Sequence, residues 1–316
     1  MAQYLVTGGA GFIGSNLCHA LVGRGERVRV LDNLSTGHEA NIADLIAAGH
    51  LELIRGDVTD RDAVGKAMAG VDYVLHQAAV ASVQRSIDDP LTSDFANVHG
   101  TVTVLNAAQK AKVKRVVYAA SSSAYGNKAA GSAKVETMIP EPLSPYAVSK
   151  LAAEYYMKAF YASYGLETVA LRYFNVFGPR QDPKSHYAAV IPLFVTAALQ
   201  NGSATIYGDG QQSRDFCFID NVVEANLLAC TAEGAAGETF NLGCGDKISL
   251  LQVLDVIGEI VGHKVERKHE PTRTGDIRES LADISKARRI LGYGAKVRFP
   301  DGIKLTVDWY KKLLKL

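Results

Sequence analysis

A doubly wound parallel α/β sheet, with a smaller α/β lobe at its C-terminal end, is the fold that this chain of 316 residues predicts. Two observations carry the prediction. Strand-like apolar runs alternate with helical stretches through the first half, and residues with useful chemistry follow the strands: Gly8, Asp32, Asp57, Gln77, Ser121 and Asn175. Alternation implies parallel strands joined by right-handed crossovers, with helices on both faces and ligands at the carboxyl ends of the strands.

The elements follow in order. Strands are expected at 3–7, 27–32, 51–54, 72–76, 114–121 and 168–174, and helices at 12–23, 60–69, 92–110 and 146–164. After about residue 175 the pattern changes to helices at 186–200, 220–231, 249–261, 283–291 and 301–314, separated by short strands and turns such as Gly208-Asp209-Gly210. Residues 238–243 read as a strand returning to the main sheet. The expected division is therefore residues 1–174 for the sheet domain and 175–316 for the smaller lobe.

Thr7-Gly8-Gly9-Ala10-Gly11-Phe12-Ile13-Gly14 follows the first apolar run and opens a stretch of helical spacing. A strand, a glycine turn and a helix N-terminus make a phosphate cradle: Gly8 for the turn, Gly11 for close approach of a pyrophosphate, Gly14 for helix–strand packing. Asp32 ends the second apolar run, where a dinucleotide site needs a carboxylate for the ribose hydroxyls. A carboxylate there repels a 2′-phosphate, so NAD is expected rather than NADP. Asp32 also suits the start of the turn Asp32-Asn33-Leu34-Ser35-Thr36-Gly37, and both roles are compatible.

Tyr146 and Lys150 lie four apart at a helix start, with Pro145 in its first turn, so both side chains share one face. Tyr146 is the one tyrosine of 14 with a lysine four residues later. A free phenol has a pKa near 10, and a neighbouring cation favours its phenolate. Such a tyrosine can take a hydroxyl proton while hydride leaves the same carbon, with Lys150 also holding the nicotinamide ribose. Ser121-Ser122-Ser123 ends the preceding strand. These serines suit a backbone turn, and Ser122 or Ser123 is expected to relay the substrate proton to Tyr146.

With these residues the chain resembles an extended short-chain dehydrogenase/reductase, built on a Rossmann sheet, over essentially its whole length. Further motifs carry the resemblance: Gly56-Asp57-Val58, His76-Gln77-Ala78-Ala79, Ser121 to Gly126, Leu171 to Asn175, Arg214-Asp215-Phe216 and Arg273-Thr274-Gly275-Asp276. Within that superfamily it is similar to UDP-hexose 4-epimerases, most of all those acting on UDP-N-acetylglucosamine. The resemblance implies NAD held by Gly8, Gly11, Phe12, Ile13, Gly14, Asp32, Asn33, Ser35, Thr36, Gly37, Asp57, Val58, Gln77, Ala78, Ala79, Asn97, Tyr146, Lys150 and Tyr173. It implies a UDP group held by Asn175, Ala189, Val190, Tyr207, Arg214, Arg273 and Asp276. Two arginines suit a diphosphate, although Arg214 has Asp215 as an alternative partner.

Substrate selection follows from residue chemistry. Sugar-nucleotide dehydratases and UDP-glucuronate decarboxylases carry a carboxylate in the serine stretch, and this chain has none there. UDP-glucuronate epimerases resemble it more closely but typically have threonine where Asn175 stands and a further arginine for the sugar carboxylate, where this chain reads Arg180-Gln181-Asp182. Ala81, Ser123, Gln181, Ala189 and Ser280, at positions resembling those that border the sugar, are small enough to leave volume for an acetamido group. The serine stretch is one residue shorter before Tyr125-Gly126 than in many galactose epimerases, so its alignment slides among the three serines. A non-catalytic NAD-binding regulator or a net dehydrogenase are the competing readings, and the intact Tyr146 and Lys150 disfavour the first.

Bulk properties exclude other classes. Net charge is +1 with scattered basic residues, which argues against a nucleic-acid partner. Cys18, Cys217, Cys230 and Cys244 lack metal-ligand spacing and read as reduced core thiols, so no metal is expected. No apolar run approaches 18 residues and no leader pattern opens the chain, so a soluble, cytoplasmic protein is expected. Apolar residues around much of 92–110 (Val102, Val104, Leu105) and 146–164 (Leu151, Tyr155, Tyr156, Phe160) suggest a homodimer through a helix bundle.

Overall fold

The computed structural model describes residues 1–127, 132–183, 189–272 and 278–316. Strands β1 (Gln3–Thr7), β2 (Arg27–Asp32), β3 (Leu51–Arg55), β4 (Tyr73–His76), β5 (Arg115–Ser121) and β6 (Glu167–Tyr173) form one parallel sheet. Its order is β3-β2-β1-β4-β5-β6, and the expected returning strand, Thr239–Leu242, adds outside β6 in parallel register. The order reverses between β1 and β4, which opens a crevice at their carboxyl ends.

Alternation along the strands explains the layers. Tyr4 and Val6 pack on one face of the sheet, and Leu5 on the other; Val117 and Ala119 divide from Val116 and Tyr118 in the same way. The second face is covered by helices Arg61–Met68, Gly100–Lys110 and Pro145–Tyr164. The first face continues without a break into the C-terminal half: Val6, Leu17 and Val30 belong to the same apolar cluster as Phe194, Ile206, Leu254 and Tyr310. The two halves share a core, which fixes the walls of anything lying between them.

Local signals set the helix ends. Ser144 caps Pro145–Tyr164 by accepting the Ala147 N–H at 3.2 Å, and Gly165 ends it at φ +68°. Ser249 and Gln252 form a capping box before Leu250–Val261. The helix expected over 92–110 is interrupted: Pro90–Asp94 leads into a wide π-turn, Phe95–His99, and then Gly100–Lys110. In that turn the Asn97 side chain is bonded both ways to the Val80 backbone, accepting its N–H at 2.8 Å and donating to its carbonyl at 3.3 Å. Of the helix expected at 186–200, Val190–Leu199 is observed, and 184–188 lie outside the described residues.

Glu154 and Arg172 join Pro145–Tyr164 to β6 by a bidentate pair, with both bonds 2.8 Å, and both side chains are buried. Arg172 also lies over the Tyr125 ring at 4.7 Å, and Thr239 donates to Glu154 at 3.2 Å. Removing one partner strands a buried charge. Arg172→Leu is expected to lower stability by about 3–5 kcal/mol in urea denaturation, whereas the double variant Glu154→Leu/Arg172→Leu recovers most of that loss. An unchanged Arg172→Leu midpoint would refute this account.

Candidate active site

The carboxyl ends of β1, β2, β4, β5 and β6 open into a cavity of about 920 Å³ that reaches the C-terminal lobe. At its floor is the glycine turn. Gly8 has φ +68°, and a Cβ there would sit 2.7 Å from the Ala78 nitrogen. A Cβ on Gly14 would lie 2.1 Å from the Gly8 carbonyl oxygen, so only glycine lets the helix Phe12–Gly23 start this close to β1. The Gly11 N-cap provides no side-chain bond to the first turn of that helix, leaving its N–H groups for an anion.

Asp32 serves both roles read from sequence. It lines the cavity, while Oδ2 accepts the Ala10 N–H at 2.9 Å and Oδ1 accepts the Leu34 N–H at 2.8 Å. It therefore ties the glycine turn to the loop after β2. Asn33 donates to Asp57 at 2.6 Å, and Asp57 accepts the Thr59 N–H and hydroxyl. Burial opposes ionisation of Asp57, but the Thr59 and Asn33 bonds outweigh it and hold the carboxyl below its usual range.

Of the residues expected to hold NAD, all but Asn97 line this cavity. Asn97 is placed behind the wall, its amide donating to the Ser149 hydroxyl at 2.9 Å as well as to Val80. Gln77 is held by a buried network in which the Tyr173 hydroxyl donates to Gln77 at 3.3 Å and Asn226 donates to Tyr173 at 2.8 Å. A glycine cradle, a paired Asp32 and a long two-lobed cavity fit a dinucleotide. Sequence reasoning passed over His38 and Asn41, which line the same cavity as products of loop packing, and gave no role to Phe174, which lines it from within the Leu171–Asn175 motif.

Tyr146 and Lys150 face the cavity from the start of Pro145–Tyr164. The Lys150 ammonium donates to the Ala119 carbonyl at 2.9 Å and stands 4.9 Å from the Tyr118 ring centroid, with no carboxylate partner among the described residues. Burial pushes its pKa down to about 7. Beneath it His76 is bonded to Thr7 at 2.7 Å and Thr101 at 3.0 Å; burial first, then the Lys150 charge, push its pKa to about 3 and keep it neutral.

Burial raises the pKa of the Tyr146 phenol, and a hydrogen bond with the Ser121 side chain opposes that shift. The Ser123 hydroxyl donates to the Ser121 hydroxyl at 2.8 Å. The sequence placed the relay on Ser122 or Ser123. Here the serine bonded to the phenol is Ser121, with Ser123 behind it, because β5 ends at Ser121 and Ser122–Tyr125 turns away as a short 3₁₀ helix. All three serines line the cavity.

At the far end the cavity is bounded by Ala81, Asn175, Gln181, Ala189, Arg214 and Ser280, whereas Val190 and Tyr207 do not line it. Arg273 and Asp276 lie outside the described residues. Asp215, the alternative partner of Arg214, instead directs its carboxylate to the N–H groups of Cys244, Gly245 and Ala282. Burial raises it to about 6 despite those bonds. No group of metal-binding side chains occurs among the described residues, and none of their helices is long and apolar enough to cross a membrane.

A family model described as "NAD dependent epimerase/dehydratase family" matches residues 4–243, the whole parallel sheet with its returning strand. The chain belongs to that family. It is an enzyme, and NAD is its cofactor. It is 38% identical to a UDP-glucose 4-epimerase of Mycolicibacterium smegmatis over 97% of this chain and 98% of that one. A UDP-glucose 4-epimerase of Thermotoga maritima, solved with UDP-glucose, is 36% identical with a TM-score of 0.93, covering 99% of both chains. A UDP-N-acetylglucosamine 4-epimerase of Methanobrevibacter ruminantium, solved with UDP-N-acetylmuramic acid, is 37% identical, again with a TM-score of 0.93 and 99% of both chains.

Lys150 gives the cofactor-free enzyme a pH signature. Its folded pKa of about 7 lies below the ordinary 10.5, so between these values the unfolded chain binds more protons and stability rises with pH. The rise reaches at most about 5 kcal/mol for this side chain. Lys150→Met is expected to remove that increment when urea midpoints are compared at pH 7 and pH 9; an unchanged slope would show that Lys150 is not desolvated.

Proposed function

We propose that this enzyme is a 4-epimerase of UDP-hexoses, interconverting UDP-N-acetylglucosamine and UDP-N-acetylgalactosamine and also accepting UDP-glucose and UDP-galactose. In this reading residues 1–174 hold NAD and 175–316 the UDP-sugar. When bound in the cradle of Gly8, Gly11 and Gly14, NAD would supply a reversible hydride acceptor for C4. Tyr146 removes the C4 hydroxyl proton through the Ser121–Ser123 hydroxyls and gives it back after the keto sugar has turned over in the cavity. Lys150 stabilises the phenolate and holds the nicotinamide ribose, and the nearby neutral His76 adds no competing charge. Arg214 takes the diphosphate, and Asn175 lies beside it.

One observation carries the N-acetyl preference: Ala81, Ser123, Gln181, Ala189 and Ser280 all border the same cavity. The short side chains of Ala81, Ser123, Ala189 and Ser280 leave room for an acetamido group, which Ser280→Tyr would fill. Asp182 lies on the same wall, paired with His38 at 3.1 Å, and disfavours a sugar carboxylate there. Incubation with UDP-N-acetylglucosamine, UDP-glucose and UDP-glucuronate separately, with products identified by NMR, tests the reading. Epimers of the first two are expected without added NAD, Tyr146→Phe abolishing both and Ser280→Tyr suppressing the N-acetylated pair at least about tenfold more than the plain pair. Turnover of UDP-glucuronate alone would reject it.

We further propose a homodimer in the cytoplasm. Leu91, Phe95, Tyr155 and Tyr156 are exposed on Pro90–Asp94, Phe95–His99 and Pro145–Tyr164, which pack against one another, and all four cysteines are free. Light scattering is expected to give twice the chain mass at micromolar concentration, and Tyr155→Glu/Phe95→Glu to give the monomer; a wild-type monomer would exclude the assembly.

A further inference from the structure

The serine turn ends against a buried lysine that the chemistry above does not use. Lys134 is 1% exposed, and its ammonium donates to the Gly126 carbonyl at 3.0 Å. Gly126, at φ +56°, closes Ser122–Tyr125 by donating its N–H to the Ser123 carbonyl at 3.2 Å. The same ammonium stands 5.8 Å from the Tyr125 ring centroid, a ring that Arg172 also covers. Tyr125 donates to Asn241 at 2.6 Å, and the Asn241 amide donates to the Lys134 backbone carbonyl at 2.7 Å, so the lysine is held at its ammonium and at its backbone.

Its backbone makes two further bonds, to the segment after the strand Glu279–Ser280. The Lys134 N–H donates to the Leu281 carbonyl at 2.8 Å, and its carbonyl accepts the Asp283 N–H at 2.9 Å. Leu281 follows Ser280, which is paired in register with Arg214. Lys134 therefore bridges the serine turn and the strand beside the cavity's arginine. It has no carboxylate partner among the described residues. Burial, and then the like charge of Arg214, hold its pKa below the ordinary lysine range. A buried ammonium without a counter-ion is expensive for a residue that only fills space.

We propose that Lys134 is a positioning residue that holds the serine turn, through the Gly126 carbonyl, in place against the strand beside Arg214 and so keeps Ser121 at Tyr146. The inference rests on the epimerase reading above. The ammonium is bonded to the Gly126 carbonyl in the structure as it stands. That charge sits at the carbonyl end of the turn whose first hydroxyl, Ser121, meets the phenol. The turn is closed around this bond and Lys134 does not line the cavity, so its loss acts on kcat rather than on KM.

Lys134→Met keeps the length of the side chain and removes its charge. With the UDP-sugar that the wild type epimerises, kcat is expected to fall about 10- to 100-fold while KM stays within about threefold and NAD remains bound. In Lys134→Ala, added propylammonium is expected to restore part of the lost kcat, and propanol none. Wild-type inactivity on every UDP-sugar would overturn the epimerase reading itself. Wild-type turnover with Lys134→Met within about twofold in kcat, or with KM alone raised, would overturn this inference and leave that reading intact. Rescue by propanol as well as amine, or loss of folding in both variants, would make Lys134 a purely structural residue and end the proposal.

Discussion

The site depends on how one helix is fastened to the sheet. Tyr146, Lys150, Glu154 and Met157 fall on successive turns of one face of Pro145–Tyr164, and all four are tied to strands or their ends. Tyr146 meets Ser121, Lys150 meets the Ala119 carbonyl, and Glu154 meets Arg172, while the Met157 carbonyl receives Thr168 at 2.8 Å. The bidentate Glu154–Arg172 pair admits one register of helix against strand, because a slip in either direction would leave two buried charges unmatched. The phenol and ammonium thus stand where the ends of β5 and β6 put them, with little left to side-chain freedom.

The glycine-turn side of the cavity is ordered by a second set of ties, made with backbone groups. Asp32 accepts N–H groups from both the glycine turn and the loop after β2, so these two walls of the cavity are fastened to one another. The glycines permit that closeness: at Gly8 and Gly14 a single added carbon would overlap neighbouring backbone. Burial then sets the charges. Lys150 is shifted down to about 7 and His76 to about 3, which leaves one adjustable cation next to the phenol instead of two.

The two halves of the chain are joined by a continuous apolar core, and the cavity lies where they meet. Cavity-lining side chains therefore come from segments far apart in sequence, among them Ala81, Gln181, Arg214 and Ser280. Asp215 secures this end by gathering three N–H groups from the segments that follow the strands Thr239–Leu242 and Glu279–Ser280. The buried bridge through Lys134 connects the same end to the serine turn.

The sequence by itself determined the parallel sheet, the glycine turn, Asp32 and the Tyr146–Lys150 pair. Each is a local pattern whose spacing is dictated by helix or strand geometry, so period and composition suffice to read it. Tertiary structure alone decided which serine meets the phenol, since that depends on where β5 stops and the 3₁₀ turn begins. It also moved Asn97 behind the cavity wall, through a π-turn and a bond to Val80 that no spacing announces. It brought Lys134 beneath Gly126 as well, across a contact with residues about 150 positions later. Local patterns record short-range backbone geometry; partners chosen by packing across a shared core leave no periodic trace in the chain.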